Sequence, residues 1–388
     1  MSSTPKIIAF YLPQFHAIPE NDRWWGKGFT EWTNVTRAYP LFNGHHQPQL
    51  PSELGFYDLT VVDIQRAQAQ LAKEYGVYAF SFYYYWFAGK KLLEKPIDNY
   101  LNAKDIDFPF CLTFANENWT RRWDGREEQI LIAQNHSLEN ERAFAQSLLP
   151  YVRDERYIRV GDRPMINIYR SQLFPDIRQS TEIWRDELAK HNIDPYLCKC
   201  QTYTDLRPPE ADGFDAAMEN PPHFPTYLSV DISDEERTAL GVADNFKGRL
   251  RDYEKLVQIY KQRSLPDYKL FRGAMTSWDN TARRLDTAYI YVKSEPALYQ
   301  SWLEFLVRQT VRTHKPEEQF IFVNAWNEWA EGACLEPNDK YQRQFLEATK
   351  AALASPLNAL DEDSSLPLFD WQEKTAIEIA PKNVAMKR

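Results

Sequence analysis

The chain has 388 residues, of which 43% are hydrophobic, enough for a large core, and barrel folds often reach this length as one domain. Its net charge of -9 comes without a basic tract, which argues against nucleic acid or an anionic membrane surface as a partner. No run approaches the roughly 18 apolar residues of a membrane span. Because no apolar stretch of signal-peptide length opens the chain either, we expect a cytoplasmic protein.

Apolar, β-branched or aromatic runs recur along the chain, and polar segments long enough for crossover helices separate most of them. We predict eight strands, at residues 7–12, 77–85, 110–114, 165–169, 196–201, 216–218, 271–276 and 320–326. We predict helices at residues 60–75, 138–151, 181–191, 252–262, 297–312 and 341–353. This alternation favours a (β/α)8 TIM barrel. We assign residues 1–354 to the catalytic barrel and residues 355–388 to a polar C-terminal extension docked on it.

Polar and aromatic side chains follow five of the predicted strands. Active sites of such barrels lie where the strands end and their following loops begin. We therefore expect substrate contacts from these residues: Tyr11, Gln14, Trp32, Tyr83, Tyr85, Asn116, Glu117, Trp119, Trp278 and Asn327.

Some of these residues have a structural alternative. The long first loop, residues 13–59, lacks a clear helix period and suits a lid or a substrate wall. Its aromatic side chains, Trp32 among them, can stack on sugar or form a small satellite core. Glu117 can bind sugar, brace its loop, or pair with Arg121 or Arg122.

The segment at residues 320–337, FIFVNAWNEWAEGACLEP, runs from the eighth strand into two closely spaced carboxylates among tryptophans. While the chain stays extended, Glu328 shares a strand face with Trp326. Glu331 can rejoin that face only if the chain turns between the two glutamates, because residues three apart become neighbours in a helical turn. Gly332 makes such a turn easy, so we expect one here.

Two carboxyls beside indole rings suit glycoside chemistry. One protonates a leaving oxygen, and the other accepts a proton, activates water or attacks. The structural alternative is that Glu328 caps a helix and Glu331 is a solvated loop residue, since carboxylates on turns are common. The aromatic and amide surroundings favour catalysis by the pair.

The sequence predicts no metal site and no cofactor. His45 and His46 have no partner at ligand spacing, and no glycine-rich phosphate loop is present. The four cysteines lie in or beside predicted strands without zinc-site spacing, as buried free thiols do: Cys111, Cys198, Cys200 and Cys334.

Three segments together resemble the WbsX-type proteins, which are labelled glycosyltransferases and look like relatives of glycoside hydrolase family 99. They are IIAFYLPQFHAIPENDRWWGKGFTEWTNV, LTFANENWTRRWDG and VNAWNEWAEGACLEP. Family 99 enzymes are (β/α)8 barrels that act endo on α-mannosides with retention of configuration, and their NEWxEG motif falls here on residues 327–332. The resemblance implies that Glu331 is the general acid/base. It also implies that Glu328 assists attack by the sugar's 2-hydroxyl, giving an anhydrosugar. Ala330 stands where the mannosidases commonly carry His, so the sugar is left open.

The leading hypothesis is a retaining α-glycosidase that acts on a bacterial-type polysaccharide or oligosaccharide. The alternative is a glycosyltransferase or transglycosylase of O-antigen or capsule assembly. Most nucleotide-sugar enzymes are doubly wound folds that hold a diphosphate at a helix N-terminus or a metal, and no DxD-like element stands in the right strand context here. A third hypothesis, a carbohydrate-binding protein without activity, fits poorly with intact Glu328 and Glu331.

Overall fold

The structure is a computed structural model that describes residues 4–121, 126–202, 205–223 and 230–355. Eight strands form its central sheet, numbered here in chain order: β1 Lys6–Tyr11, β2 Val77–Phe87, β3 Phe110–Phe114, β4 Arg163–Ile168, β5 Tyr196–Gln201, β6 Ala216–Glu219, β7 Leu270–Met275 and β8 Phe320–Asn324.

The sheet closes on itself. Each of the eight strands pairs in parallel with the next in the chain, and β1 pairs with both β2 and β8. Ile7 lies opposite Val77 on one side and Ile321 on the other. The predicted (β/α)8 TIM barrel is therefore confirmed, with every strand within a few residues of its expected position.

Helices pack outside the barrel and in its loops: α1 Pro19–Trp25, α2 Glu31–Arg37, α3 Val62–Glu74, α4 Glu94–Asn102, α5 Leu138–Val152, α6 Ile177–Ala189, α7 Asp234–Ala239, α8 Tyr253–Gln262, α9 Thr281–Arg284, α10 Pro296–Thr313 and α11 Gln344–Ala354. The six predicted helices are all present. Helix α6 begins four residues before its predicted start because the Asp176 side chain accepts a hydrogen bond from the Gln179 N–H and caps it there.

The loops contain short strands and 3-10 turns. Outside the barrel, short strands lie at Lys90–Leu92, Trp119–Arg121, Arg126–Ile132, Arg159–Val160, Arg249–Asp252, Tyr289–Val292, Asn327–Glu328 and Ala333–Cys334. Single 3-10 turns lie at Ser171–Leu173, Pro209–Asp212, Leu285–Thr287, Pro316–Glu318 and Trp329–Glu331. The first loop, whose sequence lacks a clear helix period, contains α1 and α2; each is only seven residues long, too short to show a period.

Side chains of the strands alternate between the barrel interior and the helix layer. On β1, Phe10 faces inward and stacks on Tyr83 at a centroid distance of 5.7 Å. Its neighbour Tyr11 faces outward and packs on Phe80 and Phe82. Because the period is two, this choice decides which residues of each strand can reach the mouth of the barrel.

The described chain ends one residue after α11, so the extension expected at residues 355–388 lies, apart from Ser355, outside the described residues. Within the described ranges, no helix is both long and apolar enough to cross a membrane. One large apolar cluster joins the barrel interior to the helix layer. A small second cluster surrounds Leu250 and Ile290.

Candidate active site

The predicted turn between the two glutamates is present. After β8 the chain leaves the sheet, and Asn327–Glu328 pairs antiparallel with Ala333–Cys334. The residues between them form the 3-10 turn Trp329–Glu331, and Gly332 closes it with a φ of 64°. Its positive φ suits glycine because no Cβ meets the backbone. The turn places Glu328 and Glu331 on one side.

Both glutamates contact one guanidinium. Arg283, on α9 after β7, donates from Nη1 to Glu331 Oε1 at 2.5 Å and from Nη2 to Glu328 Oε2 at 3.1 Å. Its Nε donates to Oε1 of Glu31, the first residue of α2, at 2.7 Å. Three carboxyl groups from two distant parts of the chain thus surround one buried arginine at the C-terminal end of the barrel.

The surroundings change the proton affinity of this cluster. Burial raises the pKa of Glu328 to about 8, and repulsion from Glu331 adds to the shift while Arg283 opposes it. Burial works against the charge on Arg283, but Glu31, Glu331 and Glu328 outweigh it and raise the pKa of the guanidinium well above its usual value. The Glu328 carboxyl therefore favours its protonated form at neutral pH in the absence of substrate.

Two tyrosines of β2 lie in the field of the pair. Burial, and then the charge of Glu328, raise the pKa of both the Tyr83 and the Tyr85 phenols. Each keeps its hydroxyl proton at any physiological pH. Both were predicted as substrate contacts, and the structure brings them beside Glu328 and Glu331.

Aromatic rings connect the other predicted contacts to these tyrosines. Trp119 meets Tyr85 edge-on at 5.5 Å. Trp278 meets His223 edge-on at 5.1 Å, His223 lies 6.0 Å from Tyr169, and Tyr169 lies 6.3 Å from Tyr83. The rings form two groups at the barrel mouth, one on Tyr85 and one on Tyr83, with apolar faces of the kind that sugars stack on.

Asn116 and Glu117 brace the loops after β3 and β4. The Asn116 amide donates to the Arg170 carbonyl at 2.8 Å and accepts from the Arg170 N–H at 2.9 Å. Glu117 pairs with the Arg170 guanidinium at 2.5 Å. Arg170, which follows β4, is thus a partner of Glu117 that the sequence did not suggest. The Arg122 residue and the Arg121 side chain, considered from sequence, lie outside the described residues. Glu117 lies at the same end of the barrel as the pair.

Tyr11 does not join the site, contrary to the prediction. Its hydroxyl donates to the Gln68 side chain of α3 at 2.6 Å, outside the barrel. The neighbouring Phe10 takes the inward position instead. Because both faces of a barrel strand are buried, apolar content alone does not tell which face points inward.

Trp32 is also in a supporting position. Its indole donates to the Tyr57 carbonyl at 2.8 Å, and its ring packs on Phe15 and on Trp329 of the turn. Only 8% of the residue is exposed. The satellite-core alternative fits this position, and Trp32 supports the turn from behind.

Asn327 and Gln14 hold loops in place. The Asn327 amide accepts from the Leu12 N–H at 2.7 Å and donates to the Leu12 carbonyl at 3.0 Å, which ties the turn to the end of β1. The Gln14 carbonyl accepts from the Glu31 N–H at 3.2 Å and so positions the start of α2. The Gln14 side chain is buried, and its Nε2 has no hydrogen-bond partner among the described residues.

Asp279 supports the turn from the β7 side. Its N–H donates to the Glu331 carbonyl at 2.7 Å. Its carboxylate accepts from Gln47 and from Thr281 and lies 2.7 Å from His45 Nε2. Although burial opposes it, the His45 imidazole holds the pKa of Asp279 below its usual range.

Glu336 is a buried carboxyl beneath the turn that sequence reasoning did not single out. It accepts hydrogen bonds from Trp326, Trp329, Tyr57 and Gln68 at 2.6 to 2.9 Å. Burial raises the pKa of Glu336 to about 7, although these donors lower it. The Trp326 indole therefore binds Glu336 and does not share a face with Glu328, because the chain leaves the sheet before Trp326.

Sequence reasoning also missed Glu31 and Arg283. Glu31 stands inside a segment quoted for its resemblance, and Arg283 follows a barrel strand, but 252 positions separate the two. Within the described ranges, no three His, Cys, Asp or Glu side chains form a group that could hold a metal ion. The four cysteines are free and buried.

Residues 7–349 match the family described as Glycosyltransferase WbsX. The uncharacterized protein WxcX of Xanthomonas campestris pv. campestris, from either of two strains, is 47% identical over 349 residues. The match covers 89% of this chain and 49% of the relative, so the chain spans about half the length of the curated relatives it matches.

Two solved structures resemble the fold. A glycoside hydrolase-like protein is 16% identical, with a TM-score of 0.56 and coverage of 90% of this chain and 94% of its own. The GH99 endo-alpha-mannosidase from Bacteroides thetaiotaomicron is 15% identical, with a TM-score of 0.53 and coverage of 90% and 96%. At these identities the likeness concerns the barrel alone. The family match covers most of the chain, and the protein belongs to the WbsX glycosyltransferase family.

Proposed function

We propose that the protein is a retaining α-glycosidase that acts on a bacterial-type polysaccharide or oligosaccharide. The observation that carries the proposal is the meeting of Glu328 and Glu331 on Arg283, where burial favours the protonated form of Glu328. The aromatic rings around Trp119 and around Trp278 support it, because such rings pack against sugar faces.

In the first step, Glu331 gives its proton to the glycosidic oxygen. The bond from C1 to that oxygen breaks while the 2-hydroxyl oxygen attacks C1, and Glu328 removes the hydroxyl proton. The product is a 1,2-anhydrosugar with inverted configuration at C1. This step requires a protonated Glu331 and an ionised Glu328, so the proton that the free cluster holds moves to Glu331 when substrate binds.

In the second step, Glu331 removes a proton from water, and the water oxygen attacks C1. The bond from C1 to O2 breaks, and Glu328 returns its proton to O2. A second inversion at C1 restores the original configuration, so the reaction proceeds with retention. Both glutamates end in their starting states.

A sugar hydroxyl can replace water in the second step, which makes transglycosylation the second candidate. The family description as a glycosyltransferase favours it. Transfer by this route uses the same two glutamates and needs no nucleotide-sugar donor, because the glycosidic bond of one sugar supplies the energy for the next.

The test is a screen of α-linked oligosaccharides, including mannosides, with detection of products by mass. Each substrate is incubated with the wild type and with Glu331→Gln, and a parallel set contains nucleotide sugars. We expect shortened or rearranged oligosaccharides from the wild type alone. Products that form only when a nucleotide sugar is added would overturn the proposal in favour of a nucleotide-dependent transferase.

A further inference from the structure

Glu31 is a third carboxyl at this centre, and the proposed reaction gives it no step. Its side chain is entirely buried. Oε1 accepts from Arg283 Nε at 2.7 Å, while Oε2 is buried without a hydrogen-bond partner among the described residues. A buried carboxylate that is only half paired costs stability. Because burying Glu31 in this way costs stability, we look for a function of Glu31 other than stabilising the fold.

The geometry of the guanidinium suggests that role. A guanidinium is planar, and its donors point in fixed directions. With Nε held by Glu31, the terminal nitrogens Nη1 and Nη2 point at Glu331 and Glu328. Rotation of the guanidinium would break both contacts, and the bond to Glu31 opposes that rotation.

Glu31 is itself held firmly by the elements around it. Its N–H donates to the Gln14 carbonyl at 3.2 Å, next to the end of β1. At the other end of α2, Arg37 Nε donates to the Ala282 carbonyl of α9 at 3.4 Å. Helices α2 and α9 thus face each other across the Glu31–Arg283 bond, and each is tied to a neighbouring segment.

Other titratable groups face the cluster from the remaining elements. Tyr83 and Tyr85 approach from β2 as neutral phenols, since burial and Glu328 raise the pKa of both. Behind the turn, Asp279 is engaged by His45 and contacts Glu331 through its backbone N–H. Glu31 is the third carboxyl in direct contact with Arg283.

We propose that Glu31 is a positioning residue that acts through Arg283. It aims the guanidinium between Glu328 and Glu331, and its negative charge offsets part of the attraction that would otherwise keep both of them ionised. This inference rests on the proposed roles of those two glutamates. Its consequence is that loss of the charge at Glu31 shifts the titration of the pair to lower pH, because the full charge of Arg283 then acts on two carboxyls.

The experiment compares the wild type, Glu31→Gln and Glu141→Gln. Glu141 is a matched control because, like Glu31, it is a buried carboxyl that accepts a side-chain hydrogen bond. Its donor is the Trp184 indole at 2.8 Å, and it lies on α5 away from the site. Infrared difference spectra in heavy water follow the carbonyl stretch of protonated buried carboxyls as the pH changes. We expect the titration of the pair to move down by roughly one pH unit in Glu31→Gln. In Glu141→Gln we expect the titration of the pair to be the same as in the wild type.

The pH dependence of kcat/KM gives the second readout. The limb of this profile that reports the pair should move in Glu31→Gln by the same amount as the infrared titration. A folded Glu31→Gln that titrates as the wild type does overturns the inference. If Glu31→Gln does not fold, Glu31→Asp replaces it, because the charge stays but the reach to Arg283 shortens. A roughly tenfold loss of kcat with unchanged KM then supports the inference, and a wild-type kcat overturns it.

The infrared titration needs no substrate, so it separates this inference from the proposed function. A shift in Glu31→Gln without any glycosidase activity in the wild type supports the coupling through Arg283 and refutes the proposed reaction. Glycosidase activity in the wild type, together with an unchanged titration in Glu31→Gln, would refute the coupling through Arg283 and support the proposed reaction.

Discussion

Glu328 and Glu331 have different tasks in the proposed reaction, and an activated leaving group separates them. We expect Glu331→Gln to lose about 100-fold to 10,000-fold of activity on an unactivated substrate, because the amide cannot protonate the leaving oxygen. An aryl glycoside with a good leaving group should restore much of its first step. Glu328→Gln should stay inactive on both substrates, since the 2-hydroxyl still lacks its base. Rescue of Glu328→Gln alone would exchange the two roles.

The raised pKa of Glu328 also predicts how stability depends on pH. In the unfolded chain this carboxyl loses its proton near pH 4.5, and in the folded protein near pH 8. Between these values the folded state binds the extra proton, so this group stabilises the fold fully below pH 4.5 and loses that contribution as the pH rises to 8.

The matched variant is Glu328→Gln, which removes that titration. We expect the free energy of unfolding of the wild type to fall relative to the variant between pH 5 and pH 8, by up to about 1.4 kcal/mol per pH unit. Chemical denaturation at several pH values measures it. Parallel curves for the two proteins would show that Glu328 titrates normally.

Among the elements, the turn after β8 depends most on one residue. A Cβ added at Gly332 would lie 3.0 Å from both the Cβ and the backbone nitrogen of Asp279. Gly161 has a similar φ of 59°, and nothing lies within 4 Å of its Cβ position. The two positions therefore separate the cost of a positive φ from the cost of a collision.

We expect Gly161→Ala to lose about 1 kcal/mol of stability with full activity, the usual cost of a left-handed conformation. Gly332→Ala should lose more stability and most of its activity, because the turn must shift away from Asp279 and take Glu331 with it. Thermal unfolding and hydrolysis assays of both variants measure this. Equal activity in the two would mean that the turn tolerates displacement.

The sequence predicts those helices and strands whose pattern is formed by residues that are neighbours in the chain. The barrel strands are runs of apolar residues between polar segments, and α3 ends where Gly76 adopts a φ of 82°. Helices α1 and α2 were not predicted because seven residues cannot show a period, and contacts such as that of Trp32 with Trp329 stabilise α2. The misplacement of Tyr11 has a related cause, since neither face of β1 is polar.

The site residues that the sequence predicted are likewise those that lie close to one another in the chain. Glu328, Glu331 and Gly332 lie within five positions, so their spacing alone predicts the turn. Arg283 and Glu31 meet only because the barrel closes, and no local pattern encodes that contact. Ion-pair partners at such separations depend on the whole fold.

For the whole molecule, we expect catalysis without a divalent metal and without a nucleotide. Glu331 and Glu328 supply both proton transfers, and the sugar's own hydroxyl supplies the nucleophile. Activity should therefore be unchanged after dialysis against a chelator. The control is to add manganese or magnesium back to the dialysed protein, alone and with a nucleotide sugar. Dependence on both additions would contradict the acid/base mechanism.

Closure of the sheet between β1 and β8 also bears on the time at which the centre forms. Among the eight barrel strands β1 is made before the others, and its second edge stays unpaired until β8 has been made. Contacts between distant segments form slowly, because the chain between them must first be ordered. Glu31 meets Arg283 across 252 positions, so during synthesis the reaction centre can form only after β8 and the turn that follows it have been made. In refolding, activity should return together with the slowest step of barrel formation.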